Sequence, residues 1–77
     1  MRGLSNGFIH TVHKKGQWVN EVEAGLRFGS GYATKEEAVF AGRERAQHDA
    51  TEHVIQNEDG TISERNSYGG DPASRPG

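Results

Sequence analysis

Only 13 of the 77 residues are Leu, Ile, Val or Phe, and there is no cysteine, so any fold must rest on a small hydrophobic core with no covalent staple. That share, about 17%, lies just under the ~20% at which a chain begins to look disordered. Disorder also requires strong self-repulsion, and 9 Lys+Arg against 11 Asp+Glu leave a net charge of only −2. The apolar residues are moreover gathered in short alternating runs. These features predict one small domain over residues 8–68, with flexible ends at 1–7 and 69–77.

The absence of cysteine excludes disulfides, thiolate zinc sites and Cys nucleophiles, and fits a reducing, cytoplasmic setting. The residues after Arg2 contain no apolar stretch of signal-peptide length, and no run approaches the ~18 apolar residues of a membrane span. Neither export nor membrane association is expected.

Phe8 to Lys14 alternates as an extended strand, with Phe8, His10 and Val12 on one face and Ile9, Thr11 and His13 on the other. A tight Lys15-Gly16 turn leads into Gln17 to Glu23, where Trp18, Asn20 and Val22 share a face, and the two strands form a hairpin. Leu26 to Gly31 reads as a short third strand. Thr34-Lys35-Glu36-Glu37 is a capping box, in which the Thr hydroxyl accepts from the backbone three residues on while the Glu side chain reaches back. The helix that starts there carries Ala38, Ala41, Gly42, Arg45 and Ala46 on one stripe, so small side chains should let it dock closely on the sheet. Gly42 costs roughly 1 kcal/mol of helix propensity relative to Ala. Close approach to a bulky sheet residue such as Trp18 would account for it, while Phe40 falls too far round to be wholly buried. His53 to Asn57 and Thr61 to Asn66 then form a second hairpin about a Glu58-Asp59-Gly60 turn.

The fold class is therefore α+β: a small antiparallel sheet, in the sequence order β-β-β-α-β-β, with one helix packed on one face. The predicted core is Val12, Trp18, Val22, Ala38, Ala41, Gly42, Ala46, Ile62 and Tyr68. Tyr68 is assigned there as a peg that ends the last strand, because a small domain can rarely leave so large a ring in water.

The ordered set His10-Thr11-Val12, Gly16-Gln17-Trp18, Ala33-Thr34-Lys35-Glu36-Glu37-Ala38, Asp59-Gly60-Thr61-Ile62 and Ser67-Tyr68-Gly69-Gly70-Asp71-Pro72 resembles the bacterial family called domain of unknown function 2188. The resemblance spans roughly Ile9 to Pro72, and its specificity lies in the order of the motifs. Gln17 separates a glycine and tryptophan that stand together in many members, and Arg45 takes a place where an apolar residue is more usual. The resemblance implies a small α+β domain and supplies no activity, ligand or catalytic residue.

Little in the chain points to chemistry. His10 and His13 lie three apart on a strand and so face opposite ways, and His48 and His53 straddle a helix end without a preset face, so no metal site is expected. Ser5, Ser30, Ser63, Ser67 and Ser74 lie outside any nucleophile-elbow pattern, and Gly29-Ser30-Gly31 lacks the glycine spacing and Lys-Ser/Thr ending of a phosphate loop. The chain reads as a non-catalytic binding or accessory module with no cofactor, partnered by another protein or by a second copy of itself through its sheet edges. The alternative is nucleic-acid binding through the sheet face left open by the helix, with Thr11, His13, Lys14, Lys15 and Arg27 as the candidate surface. Glu21 and Glu23 on the same face weigh against phosphate.

Overall fold

The computed structural model describes residues 7–69, so the predicted flexible ends lie outside the described residues except for Gly7 and Gly69. The elements follow the predicted order: β1 (Ile9–Lys14), β2 (Gln17–Val22), β3 (Arg27–Tyr32), α1 (Lys35–Asp49), β4 (Glu52–Gln56) and β5 (Ile62–Ser67). They form one five-stranded sheet ordered β3-β2-β1-β4-β5. The sheet is mixed, where antiparallel pairing throughout was expected. After α1 crosses the face, β4 comes to lie parallel to the central β1, while the other neighbours are antiparallel.

Local chemistry sets the boundaries. The β1–β2 turn is a two-residue loop with positive φ at both Lys15 (52°) and Gly16 (81°), the primed geometry whose twist matches that of the strands. It makes Lys14 face Gln17, His13 face Trp18 and Thr11 face Asn20. Helix α1 starts at the complete capping box of Thr34 and Glu37 and stops at Ala50, which turns left-handed at φ 54°. Gly69 passes so near this stop that a Cβ there would collide with the Ala50 carbonyl. In the second turn Gly60 has φ 92°, and Asp59 accepts from the backbone N–H and the hydroxyl of Thr61.

The helix buries Ala38, Gly42 and Ala46, three small residues four apart, so the helix axis can approach the sheet closely. Ala41 is only half-buried, and Phe40 is exposed as its position predicted. Beneath α1, Ile9, Val22 and Ala46 form the apolar nucleus, with Phe28 and Tyr68 packed against it. Tyr68 thus closes the sheet against the core, and its backbone N–H donates to Thr51 O.

Besides Ala41, two further core assignments change. Val12 is buried, but on the face away from the helix, where it pairs with Val19 and lies near Val54; the three are 6%, 1% and 2% exposed. Two ion pairs and a hydrogen bond flank this apolar strip: Lys14 with Glu21 (2.6 Å), Arg65 with Glu52 (2.7 Å), and His10 Nε2 with Glu23 Oε1 (3.2 Å). Ile62 is 56% exposed, because β5 is an edge strand that α1 does not pack against, and a register shift occurs where it meets Gln56. Ile9→Ala should therefore cost about 2 to 5 kcal/mol and Ile62→Ala no more than about 0.5 kcal/mol in equilibrium denaturation. Similar losses at the two positions would contradict this placement of the core.

Candidate functional site

The interface of helix and sheet carries a chain of buried polar side chains where an apolar contact was expected. The register of the first hairpin puts Thr11 beside Asn20 under α1, and the parallel pairing of β1 with β4 brings His53 to their other side. All three are buried, His53 and Thr11 completely. Gly42 sits directly above them: a Cβ at this position would lie 2.7 Å from Asn20 Oδ1, 2.7 Å from His53 Nε2 and 2.8 Å from Thr11 Oγ1. The glycine thus accommodates the polar trio, and Trp18 instead packs against His13, with ring centroids 4.8 Å apart, beneath the Lys35 ammonium.

The protons of this chain can be assigned by elimination. Ala38 O can only accept, so the Asn20 amide nitrogen donates to it (3.0 Å) and Asn20 Oδ1 is left facing Thr11. The Thr11 hydroxyl has one hydrogen and gives it to Asn20 Oδ1 (2.6 Å). His53 Nε2, 2.7 Å from Thr11 Oγ1, must then be the donor in that contact. Burial, reinforced by the Arg43 guanidinium, pushes the His53 pKa down to about 4, so the ring is neutral at pH 7. With the hydrogen on Nε2, Nδ1 presents a lone pair, and this buried atom has no hydrogen-bond partner among the described residues.

The ring of His53 lies at the wall of a groove of about 280 Å³ between α1 and the β4–β5 hairpin. Val39 and Arg43 border it from the helix, His53 and Ile55 from β4, Glu64 and Asn66 from β5, and Tyr68 from the end of β5. It exists because α1 packs over β1, β2, β3 and β4 and leaves β5 uncovered, with Lys35 alone of the helix residues reaching across to Ser63 Oγ (3.3 Å) among the described contacts.

The residues assigned to an open sheet face do not lie together. Thr11 and His13 are on the helix side: a two-residue turn pairs His13 with Trp18, so both must share Trp18's face. Lys14, Lys15 and Arg27 do meet, at a recess of about 430 Å³ beside the β1–β2 turn, but Glu21 lines it too and holds Lys14 at 2.6 Å. Of the histidines weighed as metal ligands, His10 pairs with Glu23, His48 with Asp49, and His53 is in the buried chain. No group of three or more His, Cys, Asp or Glu among the described residues is placed to hold a metal ion. Among those residues, no helix is long and apolar enough to cross a membrane. Composition and spacing did not single out His53, although Asn20 between Trp18 and Val22 was a visible polar break in an apolar face.

Residues 9–68 match a family described as an uncharacterised protein conserved in bacteria, domain of unknown function 2188. The chain belongs to that family. No curated protein and no solved structure matches it.

Two measurements test the polar chain. Gly42→Ala should lower stability by roughly 1 to 3 kcal/mol despite its better helix propensity, because the new methyl must displace three buried polar groups. A melting temperature equal to or above that of the parent would show that the close approach is not real. The unfolded chain protonates His53 below pH 6.5 while the folded chain resists to about 4, so stability is complete above 6.5 and is lost as pH falls between those values. Denaturation at pH 5 should give a value about 2 kcal/mol below that at pH 8, and a flat profile between them would place His53 in water.

Proposed function

We propose that this chain is a non-catalytic protein-binding module that takes its partner in the groove between α1 and the β4–β5 hairpin. The observation that carries the reading is the mismatch between layers: one helix covers four strands of a five-stranded sheet, and among the described residues no element packs on the helix side of β5. A polar groove bordered by charges of both signs suits a reversible contact better than a permanent apolar one.

The sheet edges are less suited to self-association. On β3, Gly29, Ser30 and Gly31 bulge out opposite Val19 alone, which distorts that edge. On β5, a two-fold antiparallel pairing centred on Glu64 or on Arg65 would set like charges directly opposite each other. Nucleic-acid binding is the second reading, favoured by the meeting of Lys14, Lys15 and Arg27 at one recess and weakened by Glu21 among them.

A photo-crosslinking amino acid placed at Asn66 should yield a protein adduct in bacterial cells, whereas the same group at Glu58 should not. Sedimentation should report a monomer at micromolar concentration. Absence of an adduct from Asn66, or a salt-sensitive complex with duplex DNA lost on Lys14→Ala, Lys15→Ala, Arg27→Ala, would replace the protein-binding reading with the second one.

A further inference from the structure

The hydrogen bond from Tyr68 N–H to Thr51 O fixes which way the backbone of β5 points. Tyr68 and Thr51 continue the register of β5 with β4 as a hydrogen-bonded pair, and alternation makes Asn66 with His53, then Glu64 with Ile55, the next such pairs. The N–H and C=O groups of Arg65 and Ser67 therefore point away from β4, toward an edge where no strand follows among the described residues. On the helix side of this edge stand two charges without a counter-ion. Among the described residues Arg43 has no carboxylate within ion-pair distance, and Glu64 has no cation. Glu64 accepts a long hydrogen bond, 3.4 Å, from Asn66, while the Lys35 ammonium is engaged by Asn57 Oδ1 and Ser63 Oγ. The two charges lie at different levels along β5. Gly42 stands over His53, whose register partner is Asn66, so Arg43 belongs to the Asn66 level, whereas the start of the helix, at Lys35, lies by Ser63. A lone carboxylate in the groove would be opposed by Glu64, and a lone ammonium by Arg43.

We propose that β5 takes up an extended segment of a partner protein as a further, antiparallel strand, with an acidic residue opposite Asn66, toward Arg43, and a basic residue two positions later, opposite Glu64. The inference rests on the protein-binding reading and names the form and the charge pattern of the segment that binds. Backbone bonds to Arg65 and Ser67 supply the attachment, and the side chains supply the choice of sequence. Residues two apart on a strand share a face, so the acid and the base both turn to the helix side and meet Arg43 and Glu64 with their complements. At the open edge Glu64 and Asn66 take the non-hydrogen-bonded positions, where facing side chains come closest. The residue between them lies opposite Arg65, which Glu52 already holds at 2.7 Å on the other face, so its identity is free. A helical segment could meet the two charges but not the outward backbone groups, because its own N–H and C=O groups are bonded internally. The edge at β3, bulged opposite Val19, lacks this regular row.

The test is an NMR titration of the full chain with terminally blocked peptides, read by amide exchange along β5. The probes are Thr-Val-Glu-Thr-Lys-Val-Thr, the same peptide with its Lys replaced by Glu, and Thr-Val-Lys-Thr-Glu-Val-Thr. In the free protein the amides of Arg65 and Ser67 should exchange rapidly and those of Glu64 and Asn66 slowly. The first peptide should slow exchange at Arg65 and Ser67 and leave β3 unchanged. The other two should bind about fivefold more weakly, the upper end of the range for a cross-strand charge pair. Glu64→Lys, at an exposed position, should keep the melting curve of the parent and transfer the preference to the peptide with two Glu residues. Slow exchange at Arg65 and Ser67 before any addition, equal binding of all the peptides, an unaltered preference in Glu64→Lys, or no binding would overturn the inference. An Asn66 crosslink that persists in the last case would leave the protein-binding reading standing without an added strand.

Discussion

The hydrogen-bond chain from Ala38 O through Asn20 and Thr11 to His53 joins the helix to three neighbouring strands, β2, β1 and β4. With few large apolar residues available, directional bonds do what a bigger core does elsewhere. They also specify arrangement. A polar trio under a helix is tolerable only when every member but the last has its partner, so register, helix position and helix depth must all agree. Gly42 is where they agree, because any side chain there would push the helix off the trio. The small residues of α1 are thus a consequence of what lies on the sheet, and Ala38 and Ala46 continue the close approach on either side.

The same economy explains the far face. Val12, Val19 and Val54 are nearly inaccessible without a second layer above them, and the long side chains of two ion pairs and of the hydrogen-bonded His10 and Glu23 stand around the strip. Such stems shield apolar surface while their charged ends stay in water. The pairs themselves are exposed and add little energy. They hold Lys14 and Arg65 of this face against the carboxylates of Glu21 and Glu52.

Much of the architecture was legible from local signals. The capping box of Thr34 and Glu37, the glycine turns and the alternation of each strand act over a few residues, and element order follows from them. The family was also legible, from the order of short motifs. What was misread was parity. Placing Val12 with Trp18 on one face overlooked that a two-residue turn pairs His13 with Trp18, and the error carried Thr11 and His13 to the wrong side. Ile62 was misjudged for a different reason, since its exposure depends on which strand ends up at the edge.

By itself the sequence determined the elements, their order and the small-residue stripe, because turns, caps and periodicity are enforced by neighbouring residues along the chain. Only the tertiary structure decided that β4 joins β1 in parallel, and so that His53, 42 residues from Thr11, completes a buried polar chain. No local rule couples such distant positions. The coupling comes from the crossover of α1, which sets one strand beside another and leaves the last one uncovered.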